Sequence, residues 1–261
     1  MRLKDRVAVI TGGGSGIGLA ITQAFNAEGA IVVIAARTAS RLKEVADTIN
    51  ARGGRARAIP TDISDEKQVR RMVVQTLAEY GKIDILVNNA GIAGPTARII
   101  DMELDKWNEV LAVNLTGMML CSREVLKDMI PRKSGNIINI SSVGGMSGFP
   151  MRSPYYVSKM GVIAFTETLA IEAGEHNIRV NCISPAAVRG DRILNAARAK
   201  AKALGVDHEE ILARLIKDFS LKRLIEPAEV AAAAVFLASD ESSAITGQTL
   251  AVNCGMHISH Y

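Results

Sequence analysis

The sequence predicts an α/β fold: a doubly wound parallel sheet of about seven strands with helices on both faces. Three observations carry this. Short runs rich in β-branched residues alternate with longer helical patterns. Several of those runs are apolar nearly throughout, as strands covered on both faces are. A glycine-rich turn joins the first run to the first helix.

The clearest strands fall at 7–11, 31–35, 85–88, 136–141 and 179–183, with weaker candidates at 56–59 and 249–252. Between them, apolar residues at three- and four-residue spacing predict helices, including 40–51, 67–80, 155–173 and 231–238. Right-handed crossovers then put a ligand crevice at the carboxyl ends of the strands, in a Rossmann-like arrangement. No repeat, low-complexity tract or linker divides residues 1–261, which read as one dinucleotide-binding and catalytic domain.

Composition narrows the class. With 48% hydrophobic and 22% charged residues the chain is that of an ordinary globular protein. A net charge of +4 without a Lys/Arg block argues against nucleic acid. The longest apolar stretch, 230–238, is far short of the ~20 residues of a membrane span. The start of the chain, running straight into a strand, leaves no room for a signal-peptide core, so a cytoplasmic protein is expected. Cys121, Cys182 and Cys254 are far apart, and His176, His208, His257 and His260 share no ligand spacing, so no metal site is expected.

The turn from Thr11 to Gly18 contains Gly12, Gly14, Ser15, Gly16, Ile17 and Gly18. Glycines allow a sharp turn and close approach of a pyrophosphate, and the following helix offers free N–H donors. Gly12, Gly16 and Gly18 fit a Gly-x3-Gly-x-Gly spacing, looser than the usual dinucleotide fingerprint. At the end of the second strand, where a carboxylate would accept from the ribose hydroxyls of NAD, stand Ala36 and Arg37. A guanidinium suits a 2′-phosphate, so NADP(H) is the expected cofactor, with NAD(H) the alternative and Arg41 a second candidate for the contact.

Tyr155 and Lys159, four apart, project from one face of a predicted helix. An ammonium beside a phenol stabilises its ionised form, which suits the phenol to general acid/base work. Ser142 lies thirteen residues upstream at the end of an apolar strand, where active-site residues of such sheets gather. Tyr156 and Ser141 are the register alternatives.

The Thr-Gly-x3-Gly-x-Gly turn, Asp62, Asn88-Asn89-Ala90-Gly91, Asn114, Ser142 and Tyr155-x3-Lys159 occur in one order. On these motifs the chain resembles the short-chain dehydrogenase/reductases over essentially its whole length. The resemblance implies hydride transfer between a nicotinamide cofactor and a ketone or secondary alcohol. Tyr155 would exchange a proton with the reacting oxygen, which Ser142 would hydrogen-bond. Lys159 would favour the ionised phenol and hold the nicotinamide ribose, and Asn114 would position a water linking Lys159 to solvent. Asp62 and Ile63 would meet the adenine, Asn89, Ala90 and Gly91 would line the cofactor channel, and Pro185 and Val188 would follow the sixth strand as further contacts.

Two departures stand out. Where the family usually carries a threonine on the nicotinamide amide, this chain has Gly190, and 251–255 reads Ala-Val-Asn-Cys-Gly in place of the commoner Val-Asp-Gly-Gly. The family's substrate lid would occupy about 189–226, which is basic here, with Arg189, Arg192, Arg198, Lys200 and Lys202. Gly144, Gly145, Met146, Phe149 and Met151 are expected on the opposing pocket wall, and Arg152 and Arg192 are cations expected near the substrate. A 3-oxoacyl thioester or a polyol is a candidate substrate class. An enoyl reductase is disfavoured, because related enzymes of that type space tyrosine and lysine more widely, and a catalytically silent NADP-binding regulator is the rival of another class. The family implies a homotetramer, or a homodimer, formed through its long helices.

Overall fold

The computed structural model describes residues 1–148 and 150–256, without the side chains of residues 192, 196, 199, 200 and 203. A single sheet of seven parallel strands runs in the order β3-β2-β1-β4-β5-β6-β7. Its strands are β1 (Val7–Thr11), β2 (Ile31–Ala36), β3 (Ala56–Pro60), β4 (Ile85–Asn88), β5 (Gly135–Ile140), β6 (Ile178–Pro185) and β7 (Thr249–Val252). The central strands are buried throughout, which is why their sequences read as continuous apolar runs instead of alternating ones.

Helices cover both faces. Ala8, Ile10, Val87 and Ile138 pack with Ile21 and Phe25 of α1 (Gly16–Ala27) and with Val230, Ala234 and Val235 of α9 (Pro227–Ala238). On the other face Val9, Leu86, Ile137 and Val180 meet α3 (Glu66–Tyr80), α5 (Gly117–Arg132) and α6 (Ser153–Gly174). Alternate residues of one strand thus feed two separate cores. Helix α2 (Ala39–Ala51) flanks β2 through Leu42 and Ala46, and α4 (Leu104–Leu111) follows the long connection after β4. The segment expected as a lid holds α7 (Asp191–Leu204) and α8 (His208–Ile216).

Predicted strands and observed strands agree to within one or two residues at either end. Helix α6 begins at Ser153, two residues before the predicted start, because Pro154 occupies its first turn, where a missing N–H costs nothing. Residues 112–116 form one π-helical turn between α4 and α5, which the sequence pattern did not announce.

Candidate active site

Strand order reverses between β1 and β4, and the Gly-rich turn leaves β1 at that point. Gly12 has φ +67°, and a Cβ there would press on Asn89 Nδ2 at 2.8 Å; a Cβ on Gly18 would overlap the Gly12 carbonyl. The turn is held from β4. Asn89 Nδ2 donates to Thr11 O at 3.0 Å and Gly12 O at 3.3 Å. Thr11 Oγ1 accepts from Asn89 N and Ala90 N at 3.0 and 3.1 Å. Thr11, buried and absent from the sequence-predicted contacts, is therefore the hub that fixes turn and channel together.

Ser15 sits at the N-cap of α1 without a side-chain cap, and Gly16 is exposed with open space where a Cβ would stand. The first N–H groups of α1 are thus left to an external acceptor. Beside the turn, a cleft of about 190 Å³ is lined by Gly12, Arg37, Thr38, Asp62, Ile63, Ala90, Gly91 and Val113, among others. Arg37 is exposed, and no carboxylate among the described residues lies within 4.0 Å of it. Asp62 Oδ1 accepts from Ser64 N and Oγ at 2.9 and 2.6 Å, which orients its carboxylate at the cleft edge. These residues fit an adenine dinucleotide: backbone donors at one end, a shaped cleft and a phosphate-matching fork at the other.

Tyr155 and Lys159 lie on the first turns of α6, with Lys159 Nζ 5.8 Å from the Tyr155 ring centroid. Lys159 is buried, and its Nζ donates to Ile140 O, the last carbonyl of β5, at 2.8 Å. Ser142 follows that strand, and its Oγ accepts from Gly144 N at 3.2 Å. Ser141 faces away, its Oγ donating to Lys159 O at 2.8 Å and tying α6 to β5. Tyr156 turns its half-buried ring against Gly144, where a Cβ would overlap it, and stands edge-on to Tyr155 with centroids 5.5 Å apart. Burial pushes the Tyr156 phenol up. Tyr155 is thus the tyrosine beside Lys159, and Tyr156 is a packing partner.

Asn114 belongs to the π-helical turn and is buried. Its Oδ1 accepts from Ile92 N at 2.8 Å, while Nδ2 donates to Ile92 O at 2.9 Å and Ser158 Oγ at 3.1 Å. Ser158 Oγ in turn donates to Tyr155 O at 2.6 Å. Asn114 therefore clamps the loop after β4 to the helix that carries Tyr155. A Cβ on Gly91 would lie 3.2 Å from Asn114 Oδ1 and 3.7 Å from Lys159 Nζ, so Gly91 adjoins both Asn114 and Lys159. Ser158 was not picked out from the sequence, where nothing distinguishes it from a solvated helical serine.

Pro185 closes β6, and Val188 bridges to Ile225, with Arg189 N donating to Ile225 O at 2.7 Å. The base of the 189–226 segment is thereby pinned beside the site. Gly190 is extended, with open space where a side chain would stand, so nothing in the packing demands glycine there. Met146 and Met151 are exposed at the mouth, and Met151 O accepts from Ala97 N at 2.8 Å. Phe149, His257 and His260 lie outside the described residues, as does the side chain of Arg192. Burial pushes the Cys121 thiol up to about 12 and Cys182 up to about 11, and no cluster of metal-ligating side chains occurs among the described residues.

A family model described as enoyl-(acyl carrier protein) reductase matches residues 12–257. The chain is 38% identical to a 3-oxoacyl-[acyl-carrier-protein] reductase of Synechocystis sp., over 97% of this chain and 98% of that protein. Among solved structures, an actinorhodin polyketide ketoreductase variant with NADPH superposes with a TM-score of 0.92 at 31% identity, covering 98% of each chain. An NAD+-bound xylitol dehydrogenase superposes at 0.91 and 30% identity, covering 97% of this chain and 99% of that one. Fold and site together define a dinucleotide-binding oxidoreductase of the doubly wound class. The chain belongs to the short-chain dehydrogenase/reductase family.

Proposed function

We propose that this protein interconverts a ketone and a secondary alcohol with NADP(H), using Tyr155 as general acid/base and Ser142, Lys159 and Asn114 around it. The observation that supports it most is the meeting of Ser142 and Lys159 at the end of β5, where the Lys159 ammonium is held on Ile140 O within 5.8 Å of the Tyr155 ring. When bound, the nicotinamide supplies a hydride to the carbonyl carbon, or accepts one from the alcohol. In reduction Tyr155 gives its phenolic proton to the carbonyl oxygen; in oxidation it takes the proton of the alcohol. Ser142 Oγ, accepting from Gly144 N, directs its own proton at the reacting oxygen. Asn114 positions Tyr155 through Ser158 and the channel through Ile92.

Gly12, Gly14, Ser15, Gly16, Ile17 and Gly18 would cradle the pyrophosphate, and Asp62, Ile63, Asn89, Ala90 and Gly91 would line the adenosine and ribose path. Arg37 supports NADP(H) over NAD(H), since its fork faces the cleft without a carboxylate partner among the described residues. Relatives are described with both cofactors and with different substrates, an acyl carrier protein thioester and a polyol among them. The four-residue spacing of Tyr155 and Lys159 favours carbonyl over enoyl reduction. The whole chain would act as one domain with 189–226 as its substrate lid. No helix among the described residues is long and apolar enough to cross a membrane, and a cytoplasmic location belongs to this reading. Exposed Val157, Met160 and Ile171 on α6 favour assembly of homotetramers or homodimers through that helix.

The test is NADPH consumption over a panel of ketones, including a 3-oxoacyl thioester, with wild type and Tyr155→Phe. Turnover that the variant abolishes while still binding NADPH is the expected result. Binding without turnover on any member would favour a silent regulator instead.

A further inference from the structure

Arg152 occupies the N-cap of α6, where the partial positive charge of the helix end makes a cation unfavourable. It is nevertheless half-buried there, with its Cζ 5.6 Å from the centroid of the Tyr155 ring. Lys159 Nζ approaches the same ring at 5.8 Å. Two cations and a helix N-terminus therefore converge on one phenol.

Among the described residues, no carboxylate balances the charge of Arg152. Arg152 Nε is enclosed and has no hydrogen-bond partner, and no described carboxylate lies within 4.0 Å of the guanidinium. Its polar partner is Tyr156, which shares a side-chain hydrogen bond with it and whose phenol burial pushes up. Other arginines around the mouth are matched: Arg98 with Asp101 at 3.0 Å, Arg189 with Glu226 at 2.6 Å. A partly desolvated guanidinium without a counter-ion is costly, and such a violation of local rules marks a place where function outweighs stability. The pyrophosphate reading places the cofactor's phosphates at the turn after β1, whereas Arg152 directly follows Met151 and lies against the Tyr155 ring.

We propose that Arg152 is a specificity-determining residue that receives the carboxylate of a short oxo or hydroxy acid while the acid's carbonyl or alcohol oxygen meets Tyr155 and Ser142. This rests on the oxidoreductase reading above. A planar fork matches two carboxylate oxygens, and its closeness to Tyr155 requires the carboxylate to lie only a few bonds from the reacting carbon. The neutral carbonyl neighbourhood of a thioester or a polyol would leave the guanidinium with the Tyr156 phenol and no counter-ion.

The experiment measures kcat/KM with NADPH for pyruvate, acetoacetate and levulinate, each against its methyl ester, in wild type, Arg152→Gln and Arg152→Lys. At least one acid should exceed its ester by about tenfold or more, as expected for a charge-assisted pair. Arg152→Gln should collapse that ratio mainly through KM, and Arg152→Lys should restore part of it, keeping the charge but losing the fork. Equal use of acids and esters by wild type, or a loss in Arg152→Gln that falls alike on both, would overturn the assignment while leaving the oxidoreductase reading intact. If no ketone is consumed, that reading fails by itself. Calorimetric titration of acetoacetate onto the NADPH-loaded proteins then decides Arg152: weaker binding to Arg152→Gln by tenfold supports it, and equal or absent binding to both overturns it. Should the glutamine variant not fold, the acid-to-ester ratio of Arg152→Lys takes its place, an unchanged ratio counting against the fork.

Discussion

Two clefts open at opposite ends of the same sheet, and the larger of them is not the one proposed to carry the chemistry. At the amino ends of the strands a cleft of about 240 Å³ is lined by Arg6, Asp84, Asn136, Arg179 and Asp240, among others. At the carboxyl ends the cleft beside the glycine-rich turn measures about 190 Å³. The donors and charges of the first are engaged with the fold, while Asn136 Oδ1 is buried without a partner among the described residues. Arg179 Nη2 donates to Leu237 O and Ser239 O at 2.8 and 3.1 Å, and Asn136 Nδ2 to Leu237 O at 2.7 Å. Asp84 accepts from Val7 N at 2.9 Å and pairs with Lys82 and Arg132. At the carboxyl end the helix α1 N–H groups and Arg37 face outward, and Arg152 has no carboxylate partner among the described residues. Size therefore says little about function; what distinguishes the two ends is whether donors and cations already have partners.

Variants at the two ends should separate kinetics from stability. Tyr155→Phe is expected to lower kcat by at least about a thousandfold, equivalent to ~4 kcal/mol, with an unchanged melting temperature. A variant that keeps a tenth of the activity would remove Tyr155 from the proton transfer. Arg179→Ala, at the other end, strips donors from the carbonyls that close α9 and should cost about 1–3 kcal/mol of stability. Urea melts give the loss, and the folded fraction should retain wild-type KM for cofactor. A raised KM without a shift in melting would mean that the larger cleft is a binding site after all.

The cofactor end of this contrast was legible in the sequence. The glycine spacing, the apolar strands and the Tyr155–Lys159 pair are local patterns with a fixed period, and short-range sterics impose them on the backbone. The π-helical turn at Asn114 was not, because the helical pattern runs on through it. That turn goes with bonds from one carboxamide to Ile92 and Ser158, residues 22 and 44 positions away. The amino-end cleft was equally hidden, since its residues come from segments scattered from Arg6 to Ser243. Arg152 was visible as a cation near Tyr155, but its enclosure and lack of a carboxylate arise only from tertiary packing.

A smaller effect belongs to Arg37. If its fork receives the 2′-phosphate, Arg37→Ala should raise KM for NADPH by about 10- to 100-fold and leave NADH nearly unaffected. Steady-state kinetics with both cofactors decide it. A wild type that already prefers NADH would dissolve this part of the contrast, leaving Arg37 a solvated charge at the rim.

Helix α9 joins the two ends and offers the mildest test. Its C-terminal carbonyls face the amino-end cleft, while its first turn lies at the end of the 189–226 segment, where Glu229 accepts from Glu226 N at 2.8 Å and pairs with Arg223 at 2.7 Å. The Arg223 guanidinium holds the Glu229 carboxyl down, from its ordinary 4.5 to about 2. A carboxylate depressed on folding stabilises the folded state above its unfolded pKa, and that contribution fades as pH falls towards the folded value. The melting temperature of Glu229→Gln should therefore lie slightly below wild type at neutral pH, and the gap should narrow as pH drops from 4.5 towards 2. The pair is exposed, so solvent and salt weaken it, and the gap should shrink in added salt as well. A gap that stays constant down to pH 3 would show that the backbone cap on Glu226, rather than the ion pair with Arg223, ties the end of the 189–226 segment to α9.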